Sequence, residues 1–410
     1  MTIVDIANKI KKSGGTLYLV GGALRNRLLG RDTNDEDYCI TGITADIFIK
    51  MFPEAKIRGK SFAVFSLMGK EFAMARTETK NGVGHKEFNI ITNENITIEE
   101  DLSRRDITIN SIAENVLTKE IIDPFNGKKD LKDKIIRATT PAFKEDPLRV
   151  YRVARFATQL EFKVEKKTLK MMNEVKNELN SLSKERVFEE FKKALNSRKP
   201  SIFFEILRKA NVLDVHFEEI YNLIGALQPE QYHPEGDAYV HSIMVLDYAS
   251  QETTDLAIRF SALVHDLGKG VTPKEEYPHH YNHEINGVEL VEKLGNRIGV
   301  PTLWIKCGQI ACREHMRGGI FYKMKPSKKV DFIERVNKSN LGLNGLQIIV
   351  NADKLSSRNT NAQDINFATI GNQCLNTING EYIFSKYTKL QGVKFGEKLR
   401  EERIKWIQNN

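Results

Sequence analysis

The sequence predicts an α/β domain at the N-terminus that is followed by a longer, entirely helical region. Short apolar runs separated by glycine-containing turns occupy the first 140 residues, and this pattern is typical of strands alternating with helices. From about Asp146 the apolar residues recur at helical spacing, and strand signals almost vanish after Phe162. The predicted strands are Leu17–Val20, Asp37–Ile40, Phe62–Leu67 and Glu71–Ala75, and the predicted helices include Glu185–Leu195, Ile202–Ala210 and Ala257–Leu267.

The length and composition indicate a globular protein of several domains. A chain of 410 residues is too long for one core, so we expect about two to four domains. No apolar run reaches the roughly 18 residues that a membrane span needs, and the first residues show no secretory pattern. The four cysteines have no CxxC spacing. This favours a reducing cytoplasm and argues against a disulfide framework or a zinc finger.

The net charge of the chain is +8. An excess of basic over acidic residues is compatible with a polyanionic partner such as RNA. The same charge spread over 410 residues would also serve solubility alone. Charge by itself therefore leaves nucleic-acid binding open.

A glycine turn and two acids near the N-terminus form the most informative motif. An apolar strand runs into Gly21 and Gly22, Arg25 follows in a predicted helix, and Asp35 and Asp37 come next. Side chains two residues apart on a strand share a face, and glycines let a phosphate approach the backbone closely. The turn alone would also fit a plain strand-turn-helix. Together with two carboxylates it predicts a Mg²⁺-nucleotide site for phosphoryl or nucleotidyl transfer.

A third acid usually completes a site for two-metal transfer. Glu71, which lies in a strand-like run, is the candidate. The alternative is that Glu71 is an exposed strand residue without a role in catalysis.

Two further charged motifs extend this predicted site. Arg105, with Arg104 before it, suits a triphosphate, and Asp106 and Asn110 would hold a ribose hydroxyl or one another. The alternative for this run is a solvated charged face.

Asp146 and Arg149 are three residues apart, so on a helix they would share one face. An acceptor beside a donor matches the edges of cytosine and adenine, and guanine and uracil reverse that order. A local salt bridge is the alternative for this pair. Arg152 and Arg155 follow and add positive charge.

These motifs resemble, in order, those of class II CCA-adding tRNA nucleotidyltransferases. The matching segments are residues 19–37, 104–113, 123–131, 145–149 and 185–190. The resemblance implies a DNA polymerase β-like head that adds C, C and A to the 3′ end of tRNA from CTP and ATP without a template. It also implies that Asp35 and Asp37 bind Mg²⁺. It further implies that Gly22, Arg25, Arg105, Arg149 and Arg152 contact the nucleotide, and the motif analysis adds Asp106 and Asp146 to the predicted nucleotide-binding set.

The chain departs from this family at Asn26, where an aspartate usually follows the motif arginine. We expect the departure to alter a local helix-capping or nucleotide-orienting role and to leave the metal site intact.

Histidines concentrate in the second half of the chain. Seven of the nine lie within residues 233–315, beginning with the run His233–Asp237. A lone histidine on a helix is more often a core residue. Here the clustering, together with the adjacent pair His265 and Asp266, predicts a divalent transition-metal site, because imidazole and carboxylate ligands suit such ions.

This stretch resembles the HD phosphohydrolase superfamily and the C-terminal domain of the multifunctional bacterial CCA enzymes. The resemblance implies that His241, His265, Asp266 and Asp353 hold the metal, often Ni²⁺. It further implies 2′,3′-cyclic phosphodiesterase, 2′-nucleotidase and phosphatase activities.

The combined prediction is an α/β head, an all-helical neck and body, and a helical HD domain. The predicted regions are a nucleotidyltransferase head at 1–140, a base-recognising and tRNA-binding neck and body at 141–228, the HD domain at 229–355 and a helical tail at 356–410. The enzyme would be a cytoplasmic monomer or homodimer.

Four other readings of the sequence compete with this prediction. A bacterial poly(A) polymerase shares the head motifs but usually ends in a basic tail, and a partial enzyme would add only CC or only A. An RNA-binding scaffold with inactive sites would have lost its carboxylates, but Asp35, Asp37, His265 and Asp266 are all present. A stringent-response nucleotide hydrolase has its His-Asp motif before its transferase domain, which is the reverse of the order here.

Overall fold

The computed structural model describes residues 1–32, 36–58, 64–80, 88–356 and 364–410, with side chains for all of these except 78–80, 88–90 and 356. The chain divides into two compact units. The first comprises Met1–Arg186 with Lys209–Val212, and the second comprises Val187–Arg208 with Leu213–Asn410.

A mixed sheet forms the centre of the first unit. Among the described residues the strands are β1 Thr16–Val20, β2 Asp37–Thr41, β3 Lys56–Arg58, β4 Val64–Leu67, β5 Lys70–Met74, β6 Thr77–Lys80, β7 Phe88–Ile91, β8 Ala113–Asn115, β9 Ile121–Ile122, β10 Ile135–Ile136 and β11 Lys163–Val164. The main sheet has the order β3-β4-β5-β2-β1-β8-β9. Within it, β2 and β5 run parallel, and the other pairs are antiparallel. Two smaller pairs, β6–β7 and β10–β11, lie outside this sheet.

Helices alternate with these strands and follow them along the first unit. They are α1 Ile3–Lys12, α2 Gly21–Leu28, α3 Ala45–Met51, α4 Ile98–Ser103, α5 Gly127–Asp133, α6 Arg149–Leu160 and α7 Lys166–Glu174, with 3-10 helices at Thr108–Asn110, Pro141–Glu145 and Lys176–Ser181. Alternation fixes which strand faces are buried. Phe72 of β5 is buried and stacks on Tyr38 of β2, and the neighbouring Glu71 is exposed.

The remaining helices follow in chain order. They are α8 Lys184–Leu195, which spans the boundary between the units, α9 Ser201–Lys209, α10 Leu213–His216, α11 Glu218–Tyr221, α12 Ala238–Glu252, α13 Leu256–Val264, α14 His283–Ile298, α15 Thr302–Gly319, α16 Pro326–Asn337, α17 Gly342–Ser356, α18 Phe367–Thr377, α19 Gly380–Lys386 and α20 Gly392–Asn409. Three 3-10 helices lie between them, at Leu267–Val271, Lys274–Glu276 and Phe321–Lys323.

Close helix packing in the second unit depends on glycines. A Cβ on Gly268 would lie 2.0 Å from the carbonyl oxygen of His283, so the 3-10 helix after α13 can contact the start of α14 only without a side chain there. A Cβ on Gly308 would meet Val264 and Val291 at 2.9 Å each, which brings α13, α14 and α15 together. None of the helices in the described part of the chain is both long and apolar enough to cross a membrane.

The predicted elements correspond closely to the observed ones. The strands Leu17–Val20, Asp37–Ile40 and Glu71–Ala75 match β1, β2 and β5 to within one residue at each end. The prediction Phe62–Leu67 corresponds to β4, and its first two residues lie outside the described residues. Within the described chain, no strand follows Val164, and the predicted helical region is confirmed.

Candidate functional site

The glycine turn, an aspartate and two arginines converge in the first unit. Gly21 begins α2 with a φ of +69°, a conformation that favours glycine. A Cβ there would lie 3.4 Å from Nη1 of Arg105 and 3.8 Å from Oδ2 of Asp37. A Cβ on Gly22 would lie 3.6 Å from Nη2 of Arg25. The turn therefore has no side chains that would keep a ligand away from its backbone, and one carboxylate and two guanidinium groups lie next to it. This arrangement suits a phosphate accompanied by a cation.

Two of the three predicted acids lie opposite each other in the sheet. Asp37 of β2 is paired with Glu71 of β5 in parallel register. The next pair, Tyr38 and Phe72, stacks at 5.1 Å between ring centroids on the opposite face. Asp37 and Glu71 thus lie on the same face of the sheet, where both carboxylates can bind the predicted Mg²⁺. Asp35 lies outside the described residues.

The predicted pair of arginines is held by a buried acid that sequence reasoning missed. Asp101 is only 1% exposed, and its Oδ2 accepts hydrogen bonds from Nε and Nη2 of Arg105 at 3.2 and 2.9 Å. Its Oδ1 accepts from Nε and Nη2 of Arg104 at 3.1 and 2.6 Å. Burial alone would raise the pKa of Asp101, but the two guanidinium groups bring it to about 2. The spacing of three and four residues from Asp101 was the available signal.

A second network links Arg25 to Arg152 through two polar side chains. Nη1 of Arg25 donates to Oδ1 of Asn110 at 2.7 Å, and Nδ2 of Asn110 donates to Oδ1 of Asp106 at 3.1 Å. Nε of Arg152 donates to Oδ2 of Asp106 at 2.7 Å. Burial opposes ionisation of Asp106, yet Arg152 and Asn110 lower its pKa to about 2. Asp106 and Asn110 therefore bind one another, which is one of the two predicted arrangements.

Arg25 itself is almost fully buried. Burial and the nearby Arg155 lower its pKa to about 10, so the group stays charged at neutral pH. Its Nε and Nη2 donate to Oδ1 of Asn26 at 3.2 and 2.9 Å. At the position where the family usually has a carboxylate, a neutral amide thus orients the motif arginine.

The predicted helix-face geometry of Asp146 and Arg149 is wrong. Helix α6 begins at Arg149, whereas Asp146 lies before it in extended conformation, with φ −116° and ψ 106°. The physical reason is Pro147, because the residue before a proline is disfavoured in helical conformation. Asp146 accepts from the backbone N–H of Leu148 at 3.0 Å and from Nη2 of Arg186 at 3.3 Å.

Arg149 is buried and donates to two backbone carbonyls. Its Nη1 binds the oxygen of Ala142 and its Nη2 that of Arg104, both at 2.6 Å. The second contact connects Arg149 to the arginine pair that Asp101 holds.

The second unit gathers the predicted metal ligands from two helices and the segment after α13. His241 belongs to α12, His265 and Asp266 follow α13, and Asp353 belongs to α17. Nε2 of His241 lies 2.9 Å from Oδ1 of Asp353 and 3.8 Å from Oδ2 of Asp266. Nε2 of His265 lies 3.2 Å from that Asp266 oxygen and 4.0 Å from Oδ1 of Asp353. All four predicted ligands are therefore brought together.

Two histidines outside the predicted set also face this centre. His283 at the start of α14 and His315 of α15 place Nε2 3.4 and 3.3 Å from Oδ1 of Asp266. Both belong to the histidine cluster noted in the sequence, but they were not predicted as metal ligands, because their positions depend on the packing of α14 and α15. His280, from the same cluster, binds Thr272 and the carbonyl oxygen of Leu227 instead.

Hydrogen bonds fix the orientation of these imidazoles. Nδ1 of His265, His283 and His315 lies 2.7 to 2.8 Å from the carbonyl oxygens of Ala262, His280 and Cys312, respectively. An N–H at Nδ1 leaves the Nε2 lone pair for a metal. Nε2 of His265 and of His283 are buried, and although they lie 3.2 and 3.4 Å from oxygens of Asp266, the angles do not form a hydrogen bond with it or with any other described residue. This donor set fits a divalent transition metal.

Lys269 adds a positive charge beside the carboxylate of Asp266. Its Nζ lies 2.6 Å from Oδ2 of Asp266 and donates to Oε1 of Gln228 at 2.6 Å. Burial opposes ionisation of Asp266, but His265 and Lys269 hold its pKa well below the usual range. Asp266 is thus kept ionised and ready to act as a ligand.

Three sequence families match successive parts of the chain. The poly A polymerase head domain matches residues 17–137, and the probable RNA and SrmB-binding site of polymerase A matches residues 161–223. The HD domain matches residues 238–357, which include all four predicted metal ligands of the second unit.

Relatives of nearly the same length decide the family. The multifunctional CCA protein of Mannheimia succiniciproducens is 40% identical over 332 residues, covering 78% of this chain and 78% of that protein. The one from Nitrosococcus oceani is 42% identical over 326 residues, covering 78% and 79%. The chain belongs to the family of multifunctional CCA proteins. This membership confirms the predicted enzyme, a CCA-adding nucleotidyltransferase that carries a phosphohydrolase domain of the HD type.

Solved structures agree with the fold predicted for this family. A CCA-adding enzyme in its apo form II has a TM-score of 0.66 at 20% identity, covering 99% of this chain and 92% of that one. A tRNA nucleotidyltransferase complexed with a primer tRNA and an incoming ATP analog has a TM-score of 0.56 at 22% identity, covering 85% and 94%. At these identities the likeness shows the fold, which confirms the predicted architecture.

Proposed function

We propose that the first unit adds C, C and A to the 3′ end of tRNA, taking CTP and ATP in turn without a nucleic-acid template. The observation that carries the proposal is the convergence of the bare turn at Gly21 with Asp37 and Arg105. Asp35 and Asp37 would bind Mg²⁺, with Glu71 as the third acid. When bound, Mg²⁺ neutralises the triphosphate and lowers the pKa of the attacking hydroxyl.

The arginines would bind the triphosphate in a geometry that already exists. Arg105 and Arg25 flank the glycine turn, and each is held by a buried partner, Asp101 in one case and Asn110 in the other. Holding a guanidinium in place before the ligand arrives reduces the entropy lost on binding. Asp106 would act through Arg152 and Asn110, because its carboxylate already binds both.

Asp146 and Arg149 would select the base, although they do not share a helix face as predicted. The two side chains come from a turn and from the first residue of α6, and both already have hydrogen-bond partners. Reading a base edge therefore requires that the base replace these partners. Cytosine and adenine offer a donor beside an acceptor and would satisfy both side chains, whereas guanine and uracil would leave them unpaired.

The second unit would hydrolyse phosphoesters at its metal centre. His241, His265, Asp266 and Asp353 would hold one divalent ion, and the substrates would be 2′,3′-cyclic phosphates, 2′-nucleotides and phosphomonoesters. Ni²⁺, Co²⁺ and Mn²⁺ accept mixed imidazole and carboxylate ligands, whereas Mg²⁺ prefers oxygen ligands alone. The buried Nε2 atom of His265, which has no hydrogen-bond partner among the described residues, supports this assignment.

We also propose the domain limits, the cellular compartment and the oligomeric state. The family matches at 17–137, 161–223 and 238–357 support domain limits near residues 140 and 228, with the HD domain to 355 and a tail beyond. Four free, buried cysteines support a reducing cytoplasm. The prediction of a monomer or homodimer is tested by light scattering of the purified chain.

The test of the transferase proposal uses tRNA that ends before its CCA. The tRNA is incubated with each labelled NTP alone and with all four together, and the products are sequenced. We expect addition of C, C and A followed by termination. A long run of A would indicate a poly(A) polymerase, and arrest after CC or addition of A only to tRNA ending in CC would indicate a partial enzyme.

A further inference from the structure

The run His233–Asp237 before α12 has no role in the proposed metal set. Within it, the side chain of Glu235 is fully buried. Its Oε1 lies 2.8 Å from Nδ1 of His241 and 3.0 Å from Nδ1 of His233. The loop is fixed in place, because Asp237 caps α12 through the N–H of Val240 and also accepts from the N–H of Gly225. A buried carboxylate thus contacts the outer nitrogen of a predicted metal ligand.

Two chemical roles are open to this carboxylate. His233, Glu235 and His241 place ligand atoms close enough together to hold an ion of their own. That ion would need Nδ1 of His241, whereas Nε2 of the same ring faces Asp353 in the proposed centre. A neutral imidazole has one lone pair, since its other nitrogen carries the proton. Both nitrogens cannot ligate metals unless the ring loses that proton, so hydrogen-bond acceptance by Glu235 is the favoured role.

We propose that Glu235 is a positioning residue for the metal ligand His241. Its carboxylate accepts a hydrogen bond from the Nδ1–H of His241, which leaves the Nε2 lone pair directed at the metal and fixes the orientation of the ring. His265 and the other histidines at the centre use neutral backbone carbonyls for this purpose. A charged acceptor makes the imidazole a stronger donor to the metal. The inference rests on the proposed function of the metal centre.

Matched variants of the full-length chain separate this role from a general structural one. Glu235→Gln keeps the shape and an acceptor oxygen but removes the charge, and Glu235→Ala removes the acceptor. Glu219→Gln is the control, because Glu219 is also buried in the second unit and pairs with Arg297 at 2.6 Å. Loss of such an outer partner typically costs about 10- to 100-fold in metal affinity.

The measurements are the affinities for Ni²⁺ and Co²⁺ by competition with a chromophoric chelator, and the visible spectrum of the Co²⁺ form. We expect affinity to fall about tenfold in Glu235→Gln and about 100-fold in Glu235→Ala. The Co²⁺ spectrum should shift in both, and Glu219→Gln should match the wild type. The rise in unfolding temperature on adding metal should shrink in the two Glu235 variants, because ligand-linked stability follows affinity.

Two results would overturn the inference, and they differ in what else they overturn. If the wild type binds neither ion, the metal centre itself is wrong and the role of Glu235 is lost with it. If the wild type binds both ions and the two Glu235 variants match it in affinity and spectrum, only the role of Glu235 is wrong.

Discussion

The two sites of the chain differ most in how they expose their acids. In the first unit the predicted metal-binding acids Asp37 and Glu71 are both partly exposed to solvent. Buried acids there, such as Asp101, support arginines. In the second unit His241 and Asp266 are themselves buried. Open carboxylates suit Mg²⁺, which keeps part of its water and shares oxygens with a phosphate. Buried imidazoles suit a transition metal that stays bound between turnovers.

This contrast predicts that the two activities fail independently, and the largest effect concerns Asp37. Asp37→Ala should lower nucleotide addition by about 10³-fold or more, because a metal supplies several kcal/mol of transition-state stabilisation. Hydrolysis of 2′,3′-cyclic AMP should stay near the wild-type rate. The measurement is labelled CMP incorporation into tRNA that ends before its CCA. Asp133→Ala, at an exposed acid of the same unit, should leave both rates unchanged, and normal addition by Asp37→Ala would refute the metal assignment.

The reciprocal change acts on the buried centre. Asp266→Ala or His265→Ala should eliminate hydrolysis of 2′,3′-cyclic AMP and leave CCA addition largely intact. The reason is that each residue supplies one of the four proposed ligands, and both lie within a cluster whose ligand atoms are within 4.8 Å of one another. Turnover is measured on the same preparations that are tested for addition. Variants that hydrolyse the substrate as fast as the wild type would make the histidine cluster structural.

A smaller effect concerns base choice in the first unit. Arg149→Ala should reduce discrimination against UTP and GTP by about 10- to 100-fold, since a well-placed bidentate contact contributes roughly 1–3 kcal/mol of base selectivity. Addition of CTP and ATP should also slow. Steady-state assays with all four nucleotides give the ratios of kcat/KM. Selectivity equal to that of the wild type would exclude Arg149 from base recognition.

The smallest predicted effect is on stability in acid. Burial, together with Arg297, lowers the pKa of His216 to about 4. The unfolded chain then takes up its proton near pH 6.5 and the folded chain only near pH 4, so stability is full above pH 6.5 and falls as the pH drops. The loss at pH 5 is about 2 kcal/mol.

Both tryptophans, Trp304 and Trp406, lie in the second unit with His216, so their fluorescence reports its unfolding in urea. Between pH 7 and pH 5, His216→Gln should lose about 2 kcal/mol less than the wild type. Equal losses in the two proteins would show that His216 does not contribute to the acid sensitivity.

Local motifs made much of both sites predictable from the sequence. Gly21 directly follows β1 and Asp37 begins β2, and the antiparallel pairing of these two strands, with Val20 opposite Asp37, brings the turn and the acid together. The adjacent pair His265 and Asp266 was equally clear. Fold class followed from hydrophobic periodicity, which changes from strand-like to helical along the chain.

The parts that were missed depend on packing or on a single turn. The role of Asp101 was missed, because it depends on α4 placing the side chain beside both arginines. Its spacing of three and four residues from them was a usable signal. The error at Asp146 came from reading a helix through Pro147. His283 reaches Asp266 only through the packing of α14, which one sequence without relatives does not reveal. Glu235 contacts His241 only six residues further along the chain, so its spacing was a usable signal.

The contrast between the two sites is tested most directly by exchanging metals on the chelator-treated wild-type chain. Both activities are measured after adding back either Mg²⁺ alone or one equivalent of Ni²⁺ alone. An open site of carboxylates and a buried site of imidazoles predict that Mg²⁺ restores CCA addition but little hydrolysis, and that Ni²⁺ restores hydrolysis but not addition. Recovery of both activities with one equivalent of Ni²⁺, or full hydrolysis with Mg²⁺ alone, would contradict the division into two metal sites.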